Sequence, residues 1–287
     1  MVNRTGLLAT FTSGVLFGTS VPIIKLGLSL IPPFLFAALR FLLASILVLV
    51  ILRRSGWVKT DLLRSRPMWT IGILNTTGYI LQFEGQVYAT ASDAALIIGS
   101  AALLIPIIAR LRATEKLAWK TSLGVLSGFV GAGLVVTRGE ARNLGQAEVV
   151  GDLLILGTAV TIALIFVFSK DLVDRHDCSA VTGGIVLTTS VLLLPFTPLD
   201  LRTSPSLSSS AWLYILFLAL FSTVGSYYFF AKGLETVSPT VSSIILPIEV
   251  IVSVALSVVI FRDPFNLFSE TGALLIIAGV VLVSLSS

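Results

Sequence analysis

Apolar runs of about 20 residues, each long enough to cross a bilayer as a helix, recur along the whole chain. Ten can be traced, at 6–28, 34–52, 68–89, 91–110, 118–137, 151–170, 180–199, 211–233, 238–261 and 266–286. Between them stand turn formers and small polar residues, such as Ile31-Pro32-Pro33, Thr90-Ala91-Ser92 and Val237-Ser238-Pro239. The seventh run is the weakest, diluted by Thr188, Thr189 and Ser190. The first follows Met1–Arg4 and could be taken for a signal peptide. Its length, the lack of a small-x-small cleavage signal and the runs that follow make it a retained helix. The expected fold class is an all-α membrane protein with ten transmembrane helices.

Composition agrees with that pattern. Of 287 residues, 55% are hydrophobic and only 12% charged, with a mean hydropathy of +1.01. Such a surface needs lipid as its solvent. The net charge of +4 does not point to nucleic acid, because the basic residues sit in short clusters without a basic, aromatic-studded face. With both termini in the cytoplasm, thirteen Lys and Arg residues fall inside and five outside, and Arg40 lies within a span. That excess sets the orientation. The lone Cys178 and lone His176 make neither a disulfide nor a metal site, and no cofactor is called for. No Gly-x4-Gly-Lys-Ser/Thr loop is present to bind ATP.

The two halves repeat one another. Gly6 to Lys25 aligns with Gly151 to Lys170 at a shift of 145. Further on the shift is 148, pairing Tyr79 with Tyr227, Gly85 with Gly233, Glu115 with Asp263, and Gly124 and Gly131 with Gly272 and Gly279. Five helices per repeat is an odd number, so the second copy is inverted in the membrane. The halves are residues 1–143 and 144–287, and inverted repeats place a carrier's solute site near the midplane between them.

Several segments carry a family likeness: Phe17-Gly18 with Lys25, Pro32-Pro33, Leu39-Arg40-Phe41, Tyr88 to Leu96, and Glu115-Lys116-Leu117 with Gly124 and Gly131. Leu246-Pro247, Asp263 and Gly272 to Gly279 extend it into the second half. Together these resemble EamA-type members of the drug/metabolite transporter superfamily. Phe17 stands for the more usual tryptophan and Asp263 for a glutamate. The resemblance implies a carrier and leaves the solute open, since the superfamily moves amino acids, drugs, nucleotide sugars and other metabolites, often outward.

The candidate site begins on the third helix. Asn75, Tyr79, Gln82 and Gln86 fall at i, i+4, i+7 and i+11, which puts all of them within about 40° of Asn75. A polar stripe cannot face lipid. It either bonds neighbouring helices or lines a cavity, and the repeat carries it to Thr223 and Tyr227 on the eighth helix. Glu249 sits mid-span in the ninth helix just after Pro247, where a charge is costly unless it is neutralised or meets a cation. It reads either as a neutral acid bonded to a neighbour, or as a proton carrier or partner of a solute amine. Arg40 and Glu84 lie at similar depth and are expected to pair. Thr12, Thr19, Thr158 and Thr161 suit pore lining and packing equally. The glycines of the fifth and tenth helices suit a fixed frame. Lys232 is expected to snorkel, Lys25 and Asp93 to anchor at the interface, and Glu115 and Asp263 to favour helix N-termini.

These features point to a secondary carrier of small polar or amphipathic metabolites in a prokaryotic inner (plasma) membrane. Export, amino acids and coupling to protons or exchange are favoured, and the expected partners are a small solute and lipid. A membrane-embedded enzyme or a channel is the alternative.

Overall fold

The computed structural model describes residues 4–112, 119–137, 146–201, 207–242, 245–262 and 267–284. We label its long helical segments α1 Arg4–Leu28, α2 Pro33–Val50, α3 Arg66–Tyr88, α4 Ala91–Leu111, α5 Trp119–Thr137 and α6 Gln146–Val173. They continue with α7 Cys178–Asp200, α8 Ser209–Leu234, α9 Ile245–Phe261 and α10 Leu267–Ser284. Six of them (α1, α2, α4, α6, α7 and α8) are long and apolar enough to cross a membrane by length and composition. The dilute seventh run is among these, whereas α3 is not, because its polar stripe lowers its hydropathy. Glu115 and Asp263 lie outside the described residues.

Local sequence sets the ends and bends. Ser65, Thr90 and Ser208 accept hydrogen bonds from the amides of Met68, Asp93 and Ala211, capping α3, α4 and α8. Pro22 has no N–H to give the Gly18 carbonyl, and α1 bends at Thr19, whose hydroxyl bonds Leu16 O at 2.7 Å. In α8 the stretch Leu220–Gly225 is wound as a π-helix. There Thr223 and Ser226 return their hydroxyls to the carbonyls of Leu218 and Phe221, five residues back.

Packing follows the repeat. Helix α1 lies along α8 and α3 along α6, while α2 meets α7, α4 meets α9, and α5 meets α10. A Cβ on Gly131 would stand 2.6 Å from the Gly272 carbonyl oxygen, and one on Gly279 would stand 2.4 Å from that of Gly124. The repeat exchanges these two contacts. It likewise exchanges Gly6 against Gly233 with Gly151 against Gly85. Backbones therefore touch where the sequence supplies no side chain, the arrangement that dispersion and close approach favour in lipid. Large apolar side chains such as Leu8, Val50, Leu111 and Val259 point outward. Gly279→Val is expected to destabilise by at least ~1–3 kcal/mol through overpacking, read as a lower melting temperature of the purified protein. An unchanged melting temperature would show that α5 and α10 can part without cost.

Candidate functional site

The stripe on α3 reaches a cavity of about 60 Å³, enough for a few water molecules. Asn75, Tyr79 and Gln82 line it from α3, and Tyr227 and Phe230 from α8. Phe17 and Ser20 of α1, Ile98 of α4, and Thr158, Thr161 and Phe166 of α6 complete most of the wall. Glu249 closes it from α9. Gly18 explains how an acid comes to stand there. A Cβ on Gly18 would lie 2.8 Å from the Glu249 carbonyl oxygen, so its absence lets α1 and α9 meet at the acid. Glu249 is 8% exposed, and no hydrogen bond or ion pair to its carboxylate is seen among the described residues.

Much of the remaining polar wall is already hydrogen-bonded within the protein. Tyr227 donates to Asn75 Oδ1, and Asn75 Nδ2 donates to Thr189 Oγ1 at 2.9 Å. The two phenol oxygens of Tyr79 and Tyr227 stand 3.4 Å apart. Thr158 gives its proton to Gly78 O (3.1 Å) and Thr161 to Thr158 O (2.8 Å), leaving both oxygens as acceptors. Aromatic edges frame the space, with Phe17 at 5.3 Å from Tyr227 and Phe166 at 4.6 Å from Phe230 between ring centroids. The site thus offers hydroxyls, amides, π faces and one carboxylate, which suits reversible binding of a small solute. No group of three or more potential metal ligands occurs among the described residues.

Two stripe candidates and one predicted pair are corrected. Gln86, fully buried, donates to Val21 O at 3.1 Å and ties α3 to α1 near the bend, away from the cavity. Thr223 does not line the cavity either; it accepts from Arg40 Nε at 2.6 Å. Arg40 does not pair with Glu84. Its guanidinium runs to α8, where Ser222 O accepts from Nη2 at 2.6 Å, while Glu84 accepts from the Tyr88 hydroxyl at 3.4 Å. The π-turn explains the choice, because it re-aims the α8 acceptors toward Arg40 and no carboxylate is required. Lys25 donates to the carbonyls of Gln86 and Ala89, each at 2.7 Å.

Helical periodicity does not reveal the aromatic wall or the partners that Arg40 takes. Applying the repeat to α1 and to all of α3 would have found part of it. Phe17 maps to Ile162, Ser20 to Ile165 and Gln82 to Phe230, and all six line the cavity. By contrast Glu249 maps to Ala101, so the acid belongs to one half only.

An all-helical, lipid-facing protein with a mainly apolar cavity that carries hydroxyls, amides and one carboxylate defines the class, an integral membrane transporter. More narrowly, the chain belongs to the EamA-like transporter family, whose model matches residues 4–137 and again 149–285. It is 27% identical to the uncharacterized transporter YetK of Bacillus subtilis (strain 168), over 92% of this chain and 82% of that one. It is 30% identical to YyaM of the same organism, also an uncharacterized transporter, over 86% and 83%. An uncharacterized transporter of Archaeoglobus fulgidus is 26% identical over 93% and 94%. A solved crystal structure shares the fold at a TM-score of 0.73 and 21% identity, covering 99% of this chain and 98% of that one.

Proposed function

We propose that the protein is a secondary carrier that moves small amphipathic solutes, amino acids foremost, outward across a prokaryotic inner membrane by alternating access. The observation that carries this reading is the cavity, walled by both halves and holding one carboxylate that has no partner among the described residues. At about 60 Å³ it must widen to admit a solute, and a site that widens on binding is coupled to movement of the helices around it.

The proposed topology has ten spans in two inverted repeats, residues 1–143 and 144–287, with both termini cytoplasmic. Contacts between helix ends support it. Lys59 pairs with Asp177 at 2.6 Å and Arg112 with Asp171 at 2.8 Å, joining ends assigned to the cytoplasm. The Lys59 ammonium holds the Asp177 carboxyl below its usual value. On the other side, Asp200 accepts from the Leu35 amide at 2.9 Å, joining two ends assigned to the exterior. Two matches to one family model support the division into halves.

Counterflow in proteoliposomes tests the carrier. Preloaded unlabelled amino acid should accelerate entry of labelled amino acid severalfold. Conversion of the compound would mark an enzyme, and flux without trans-stimulation or saturation would mark a channel.

A further inference from the structure

Arg40 is fully buried in α2, yet among the described residues no carboxylate lies within ion-pair distance of it. Its Nε and Nη2 are spent on Thr223 and Ser222 O, its Nη1 has no partner, and its guanidinium carbon stands 4.9 Å from the centre of the Tyr79 ring. A buried charge without a counter-ion is costly, and among the described residues Arg40 behind the wall and Glu249 on it both stand without one. A solute carrying both charges would balance both.

The protons of the tyrosine cluster decide where its negative end would sit. A guanidinium has only donors, so in its 3.4 Å contact with the Tyr79 oxygen the phenol accepts. The single Tyr227 proton goes to Asn75. The Tyr79 proton then has only the long 3.4 Å contact to the Tyr227 oxygen as a partner in the cluster, and a stronger acceptor in the cavity can draw it away, on a wall backed by positive charge.

We propose that Arg40 is a positioning residue that turns the Tyr79 hydroxyl into a binding pole for the anionic group of a zwitterionic solute, whose ammonium faces Glu249. The proposal rests on the carrier reading and narrows its solutes to those with a carboxylate or an equivalent anion. A low-dielectric wall strengthens such a pole, since the Arg40 field is little screened there. The apolar remainder of the cavity, from Ile98, Ile162, Ile165 and Phe166, suits an aliphatic or aromatic side chain.

The test compares L-leucine and L-phenylalanine with their carboxamides, which keep the ammonium and lose the negative charge. Dissociation constants are measured by calorimetry on the purified full chain, at a pH where the amide's amine is protonated. Wild type should bind the amino acids at least tenfold more tightly than the amides. In Arg40→Gln and Tyr79→Phe that ratio should collapse to within about twofold while amide affinity holds, and Arg40→Lys should restore part of it. A purely structural role would weaken acid and amide alike and leave the ratio unchanged; that result overturns the proposal. Tyr79→Phe keeps the ring and carries the test should Arg40→Gln fail to fold. Equal wild-type affinity for acid and amide overturns the anion pole alone. Wild type that binds neither, and shows no counterflow, overturns the carrier reading together with it.

Discussion

Glu249→Gln should fold as the parent does, melt at the same or a higher temperature, and lose its pH-dependent flux. The three outcomes have one cause. The substitution keeps the shape of the side chain, so the Gly18 contact that brings α1 against α9 at this residue is undisturbed. No donor among the described residues loses a partner, because none is bonded to the carboxylate. The usual penalty for breaking a buried pair therefore does not arise, and any cost of holding a charge at this depth is relieved. What disappears is the one carboxylate that lines the cavity among the described residues. Loss of a charge-assisted contact of about 1.5–3 kcal/mol corresponds to roughly ten- to hundredfold weaker binding of an amine-bearing solute. Flux against pH in proteoliposomes, with melting temperature as the control, separates the roles. Parental flux and pH profile would make Glu249 a packing residue.

Much of this site was legible in periodicity, and the misses have physical causes. Three members of the α3 stripe line the cavity because a helix of 3.6 residues per turn puts them on one face. The fourth, Gln86, lies one turn beyond the cavity, where α1 crosses and leaves a carbonyl to be bonded; period alone does not say how long a cavity is. The shift of 148 maps Asn75 onto Thr223, and cavity lining would follow that map only if α8 kept the α-helical period. The π-turn over Leu220–Gly225 widens the helix and changes the phase of the residues in it, so Thr223 meets Arg40 while Tyr227, beyond the turn, still meets the cavity. A charge in the membrane usually takes an opposite charge, which makes Glu84 the expected partner of Arg40. A backbone carbonyl, a threonine and two aromatic faces, Phe41 and Tyr79, serve in its place. The glycines of α5 and α10 could be read as a frame, because the absence of a side chain is itself a sequence feature, whereas the approach of Gly18 to Glu249 could not.

Lys25 and Lys170 should act as fastenings of opposite ends of the cavity, so that removing each opens one end only. The repeat relates the two lysines at a shift of 145, and their acceptors at 148: Lys25 donates to Gln86 O at 2.7 Å and Lys170 to Leu234 O at 2.8 Å. Each ammonium thus binds the C-terminal end of a cavity-forming helix, α3 through the Gln86 and Ala89 carbonyls and α8 through that of Leu234, where the helix dipole also favours a cation. Lys170 pairs with Asp174 at 2.8 Å as well. Glycine contacts fix which ends these are. The C-terminal end of α3 meets the first part of α6 at Gly85 and Gly151, and that of α8 meets the start of α1 at Gly233 and Gly6. Replacing lysine by methionine keeps the apolar stem and removes the ammonium, at an expected cost of about 1–3 kcal/mol for carbonyls left unbonded. A shift of about 1.4 kcal/mol between closed and open forms is tenfold in population. With Cys178→Ser as background and a single cysteine at Ser20 on the cavity wall, Lys25→Met should raise labelling by an impermeant maleimide severalfold in right-side-out vesicles. Lys170→Met should do so in inverted vesicles. The opposite pairing would reverse the proposed orientation, and equal effects from both sides would leave the lysines as caps that stabilise helices without fastening either end.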